Sequence, residues 1–75
     1  MDIIGRVFVI IGTFSVKKRV LEDAIIQNGG IVRKTLNEKT DYLLAGTNSG
    51  GRIAQARRLG IPVLTEKELR EVLKC

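Results

Sequence analysis

Short apolar runs alternate with stretches of helical spacing along this chain. Arg6-Val7-Phe8-Val9-Ile10-Ile11 is almost continuously apolar and rich in β-branched residues, and Gly12 closes it. An unbroken run of this length predicts a strand covered on both faces, as in a parallel sheet. Ser15 is a favoured N-cap residue, and Val20, Leu21, Ala24 and Ile25 then recur on one helical face. Asn28-Gly29-Gly30 ends that helix, because glycine takes the left-handed conformation past a helix C-terminus. Ile31-Val32-Arg33 reads as a short strand, residues 35–40 as a polar turn, and Tyr42-Leu43-Leu44-Ala45 as a buried strand closed by Gly46. Residues 47–51 read as a loop, after which Ile53, Ala56 and Leu59 mark a second helix ended by Gly60. Ile61-Pro62-Val63-Leu64 is a fourth strand, with Pro62 suited to a strand start or a sheet edge. Thr65-Glu66-Lys67-Glu68 is a capping box, and Leu69, Val72 and Leu73 form the buried stripe of a last helix.

The predicted order is β-α-β-β-α-β-α, an α/β pattern that calls for a parallel sheet with helices on both faces. Right-handed crossovers reduce this to a small open sandwich. No linker, internal repeat or low-complexity stretch interrupts residues 1–75, so the expectation is one domain. The single cysteine, Cys75, forms no internal disulfide, and the fold must stand on packing. No apolar run is long enough to span a bilayer, and no signal segment opens the sequence. The expected setting is a reducing intracellular compartment, cytoplasmic, or nuclear if the source is a eukaryote.

Charge adds a direction. The net charge is +5, and residues 1–60 hold ten Lys and Arg against five Asp and Glu, while residues 61–75 hold three of each. A basic excess concentrated in this way favours polyanions such as nucleic acid. The chain has no histidine, which removes the commonest general base and metal ligand. Cys75 has no histidine to activate it, no pair of acids is spaced for acid–base work, and neither a P-loop nor a dinucleotide fingerprint follows the first strand. No catalysis, metal, cofactor or small-molecule substrate is therefore expected.

What remains is a surface for binding anions. In open parallel sheets ligands gather at the carboxyl ends of strands. Here that edge is made by Gly12-Thr13-Phe14-Ser15 and by residues 46–52. Lys17, Lys18 and Arg19 crowd the start of the first helix, Arg52 stands at the start of the second, and Arg57 and Arg58 follow. Unpaired N–H groups at helix starts favour an anion. Gly12, Thr13, Lys17, Lys18, Arg19 and Arg52 are thus the candidate phosphate or DNA ligands, with Arg52 the best aimed. Arg57 and Arg58 diverge by about 100° around the helix, so at most one shares a face with Arg52. The plainer reading makes Ser15 a cap and the cation run a solvated face. Phe8 and Tyr42 lie in strand runs and are expected in the core, not as stacking platforms for bases.

The same segments resemble the BRCT family. The stretch Gly5 to Phe14 is similar to the family's opening strand and loop, and Asn28-Gly29-Gly30-Ile31-Val32 to its Gly-Gly turn into the second strand. Lys39-Thr40-Asp41-Tyr42-Leu43-Leu44-Ala45-Gly46 is the most specific match, and Leu59-Gly60-Ile61-Pro62-Val63 completes the series. Within the family the chain looks most like the single module at the carboxyl end of bacterial NAD-dependent DNA ligases. The large subunit of the eukaryotic clamp loader carries a similar one. The resemblance implies a four-stranded parallel sheet in the order 2-1-3-4, with the first and third helices on one face and the second on the other. It also implies work in DNA replication or repair, through DNA ends or nicks bearing a 5′ phosphate, or through protein partners including phosphopeptides. The ligase's adenylated-lysine motif is absent, so this chain alone is not expected to ligate. Two features depart from the phosphate-binding pattern. Ile11 stands where such members carry Thr or Ser before the loop glycine, and the first helix is about one residue short, so its family arginine falls on Lys18 or Arg19.

Overall fold

The computed structural model describes residues 3–73; Cys75 lies outside the described residues. The predicted element order is the one observed: β1 (Val7–Ile11), α1 (Lys18–Gln27), β2 (Ile31–Arg33), β3 (Tyr42–Ala45), α2 (Gly50–Arg58), β4 (Val63–Leu64) and α3 (Glu66–Leu73). All strand pairs are parallel, in the order β2-β1-β3-β4.

Register divides the side chains between two cores, because neighbours across a parallel sheet project to the same face. The row Val32–Phe8–Tyr42 and the row Ile10–Leu44–Leu64 face α1 and α3, where they pack with Leu21, Ile25 and Leu69. Phe8 is fully buried and stacks on Tyr42 with ring centroids 5.2 Å apart. Phe8 is a core residue, as its strand position predicts, and Tyr42 is half-buried against the same core. The alternate row Arg33–Val9–Leu43–Val63 faces α2 and packs with Ala56, Ile53 and Ile61. Three members of that row are apolar; the fourth, on the edge strand β2, is a cation.

Local hydrogen bonds explain the helix ends. The Gly30 and Ile61 N–H groups donate to the carbonyls of Ile25 and Ala56, and Gly29 and Gly60, both at positive φ, donate to Ile26 and Arg57. α1 and α2 thus close with the same Schellman turn. The α3 capping box forms as expected: the Glu68 N–H donates to Thr65 Oγ1 at 3.2 Å and the Thr65 N–H to Glu68 Oε1 at 3.1 Å.

Several sequence expectations need correction: β4 spans only Val63–Leu64, without Ile61 and Pro62, and Val20 is 53% exposed, off the buried stripe of α1. Ser15 does not cap α1; Lys17 occupies the cap position, and no side chain bonds to that helix start. α2 begins at Gly50, so two residues assigned to the preceding loop are helical. Residues 35–40 are not simply a polar turn. Leu36 is buried against Val9, Leu43, Ala56 and Ile61, and Thr40 is buried beside it. The turn folds over the sheet because its polar groups are satisfied locally, with Lys39 N–H on Asn37 Oδ1 and Asn37 N–H on Thr40 Oγ1. Asp41 then anchors the start of β1, accepting from the Val7 N–H at 2.7 Å.

Truncating Leu36 to Ala should destabilise the domain by about 2–4 kcal/mol in urea unfolding, as loss of a buried leucine does. The same change at Leu59, which is 41% exposed, should cost much less.

Candidate anion-binding edge

The carboxyl ends of β1 and β3 are held together by backbone. The Thr13 N–H donates to the Thr47 carbonyl at 3.0 Å, and the Thr47 N–H to the Thr13 carbonyl at 2.9 Å. This reciprocal bridge needs bare α-carbons. Gly12 has φ +87°, and a Cβ there would lie 2.6 Å from the Thr47 carbonyl oxygen; one at Gly46 would collide with the Thr13 carbonyl. The close approach that Gly12 permits is therefore taken up by the second loop. Thr13 remains exposed, with both peptide groups engaged by Thr47.

Ser15, freed from capping, ties the first loop to α3. Its N–H donates to Glu66 Oε1 at 2.9 Å, its hydroxyl donates to Glu66 Oε2, and Arg70 pairs with the same carboxylate oxygen at 2.8 Å. These hydrogen bonds from Ser15, with the Arg70 charge adding to them, hold the Glu66 carboxyl below the usual carboxylate range.

The starts of α1 and α2 present a different picture. Neither has a side-chain cap or an acid in its first turn. Gly50 and Gly51 are exposed, with open space where a side chain would be. Ser49 is buried, its hydroxyl donates backwards to the Gly46 carbonyl at 2.6 Å, and it makes no cap bond to the helix N–H groups.

Lys18 and Arg52 line one concavity of about 410 Å³, together with Arg33, Lys34, Glu22, Ile10, Ile11 and Val32. Four cations and one carboxylate make its charged lining. The Arg52 guanidinium has only a long 3.4 Å contact to Gln55 Oε1, beyond the usual range of a strong N–H···O bond, and no carboxylate partner among the described residues. Of the candidates read from the sequence, the structure thus brings Lys18 and Arg52 together. Gly12 and Thr13 stand in the loop bridge, and Lys17 and Arg19 are exposed outside this lining. Between the two positions open for the first-helix cation, Lys18 is the one that shares this lining with Arg52. Arg57 and Arg58 occupy the last turn of α2, where their charge complements the helix dipole, and do not join the cluster. The sequence reading missed Arg33 and Lys34. Their signal was positional, since residues at and just past the end of a parallel strand share the carboxyl edge with the loops that follow its neighbours.

The sequence matches the family model for the BRCA1 C Terminus (BRCT) domain over residues 5–73. It is 42% identical over 69 residues to a DNA ligase of Methylacidiphilum infernorum, and 45% identical over 69 residues to one of Rubrobacter xylanophilus. Each alignment covers 92% of this chain and 10% of the ligase, so the chain spans about a tenth of the length of the curated relatives it matches. Among solved structures, Rad4 BRCT1,2 in complex with a Crb2 phosphopeptide superposes with a TM-score of 0.84 at 19% identity, covering 97% of this chain and 40% of that one. Rad4 BRCT3,4 of S. pombe gives 0.82 at 19%, covering 96% and 42%. At that identity the likeness is one of fold.

Two outcomes test the geometry of this edge. Gly46→Ala should destabilise the domain by more than about 2 kcal/mol, because backbone must move, whereas Gly50→Ala should stabilise it by about 0.4–1 kcal/mol; thermal unfolding compares them. Glu66 has a lowered pKa in the folded chain, so its contribution is complete above the ordinary carboxylate value near 4.5 and is lost as pH falls through the folded value. Stability measured from pH 7 to pH 3 should therefore fall less steeply in Glu66→Gln than in the unaltered chain.

Proposed function

The chain belongs to the BRCT family, and from that membership we propose that it is a non-catalytic docking module of a DNA replication or repair protein, binding phosphate at DNA ends or nicks. Its relatives are DNA ligases matched over a tenth of their length, which favours a module that holds DNA for chemistry done elsewhere. The observation that carries the reading is the concavity where Lys18 and Arg52 meet at the starts of two helices, neither of which has a cap or an acid of its own. A terminal phosphate placed there would meet a guanidinium, an ammonium and open helix N–H groups in a lining with a single carboxylate. Charge-assisted hydrogen bonds of this kind are stronger than neutral ones. Ile11 lines the same concavity without a hydroxyl, so specificity would rest on the cations and not on a Ser or Thr donor.

Labelled duplexes with and without a 5′ phosphate, titrated at several salt concentrations, test this. The phosphorylated duplex should bind more tightly, and Arg52→Gln should weaken it about tenfold while leaving the unphosphorylated duplex little changed. Equal affinity of the unaltered chain for both duplexes would defeat recognition of the end. Capture of a phosphothreonine peptide with no duplex binding would point instead to a protein-interaction module.

A further inference from the structure

The cation cluster does not stop at Arg52 and Lys18. Arg33 and Lys34 line the concavity at the carboxyl edge and also a second one of about 330 Å³, which continues past them along Val7, Thr35, Asn37, Lys39 and Thr40. The two residues are the ridge between adjoining hollows. Together the hollows are lined by five cations, Lys18, Arg33, Lys34, Lys39 and Arg52, against the one carboxylate of Glu22. The nearby Asp41 is already engaged by the Val7 N–H and by Arg6 at 3.9 Å.

The fold explains why these charges are displayed. β2 is an edge strand, and register places Arg33 level with Val9 on the face that α2 covers. α2 packs over Val9 and Leu43, and Leu36 fills the space beside it. Arg33 therefore ends an otherwise apolar row, on the same side of the sheet as the helix that begins beside Arg52, and is exposed there. Its guanidinium has only a 3.4 Å contact to the neighbouring Val32 carbonyl, and neither it nor Lys34 has a carboxylate partner among the described residues. Holding like charges together without counter-charges costs stability.

We propose that Arg33 and Lys34 form a second phosphate-binding site that engages the backbone of duplex DNA leading away from the end held at Arg52. This deepens the reading given above and rests on it for the identity of the ligand. The two sites act differently. The Arg52 site distinguishes a terminal phosphate from none. The ridge meets phosphodiesters, which every duplex has, so it adds affinity without regard to the end. A cation on an edge strand also discourages pairing with another chain's strand; that role alone would leave the salt dependence of DNA binding untouched.

The test compares the unaltered chain, Arg52→Gln and the double variant Arg33→Gln/Lys34→Gln on duplexes with and without a 5′ phosphate, from 50 to 200 mM salt. Each phosphate that a cation neutralises adds about 0.9 to the log–log salt slope, so removing two such cations lowers the slope by about 1.8 and makes the affinity lost between 50 and 200 mM about tenfold smaller. The ridge proposal expects this flattening equally for both duplexes, with the preference for the phosphorylated end retained. Circular dichroism should show the double variant folded, since both residues are exposed. An unchanged slope in the double variant overturns the ridge while leaving end recognition standing. Absence of any end preference, with the slope still reduced, overturns end recognition and supports the ridge. A chain that leaves both duplexes unbound at 50 mM salt overturns both.

Discussion

The reciprocal pair of backbone hydrogen bonds between Thr13 and Thr47 governs where everything at the carboxyl edge can be. α1 and α2 lie on opposite faces of the sheet, so their starts are not positioned by packing against each other. They are positioned by the loops that lead into them, and those loops are joined at one point. Because the joint is peptide on peptide, it leaves no room for a Cβ on Gly12 or Gly46. The glycines at the ends of β1 and β3 are therefore a requirement of the edge's geometry before they are an invitation to a ligand.

A second restraint comes from the opposite direction. Glu66, in the first turn of α3, accepts both the N–H and the hydroxyl of Ser15 and is itself paired with Arg70. The first loop is thus held at Thr13 by the second loop and at Ser15 by the last helix. α3 begins with its own capping box and acids, while the two helices that begin beside the basic concavity have neither. The start of α3 is satisfied by its own capping box; the uncapped starts lie where cations also gather. An incoming anion would complete hydrogen bonds that the chain leaves to solvent.

Most of the architecture was legible in the sequence because it rests on local patterns. Continuous apolar runs marked strands covered on both faces, Asn28-Gly29-Gly30 and Gly60 marked helix ends, and Thr65 to Glu68 spelled a capping box that forms as written. What was not legible depended on contacts between distant residues. Ser15 has the chemistry of a cap, but its partner is fifty-one positions away, and the competition between a local N–H and a remote carboxylate cannot be read from spacing. Leu36 is one apolar residue in a polar stretch, and only the closure of the turn over Val9 and Leu43 explains its burial. Gly50 and Gly51 are poor helix formers, yet both are helical behind the Ser49 N-cap. At the candidate site, Arg52 was evident from its place at a helix start. Arg33 and Lys34 were not, because their grouping with Arg52 follows from the order of strands across the sheet and not from neighbours along the chain.

The two outer strands of the sheet carry a consequence for polypeptide partners. β4 has only two residues and follows Pro62, which has no N–H to give, and β2 has three, the last of them Arg33, with Lys34 next. A peptide joining either side as a fifth strand would find few rungs for its own main chain and little to fix its register. Recruitment by main-chain ladder is thereby a poor source of tight affinity, and a protein that docked along either outer strand would have to be read through side chains. Its sequence would matter in full, with no generic extended-backbone grip to fall back on.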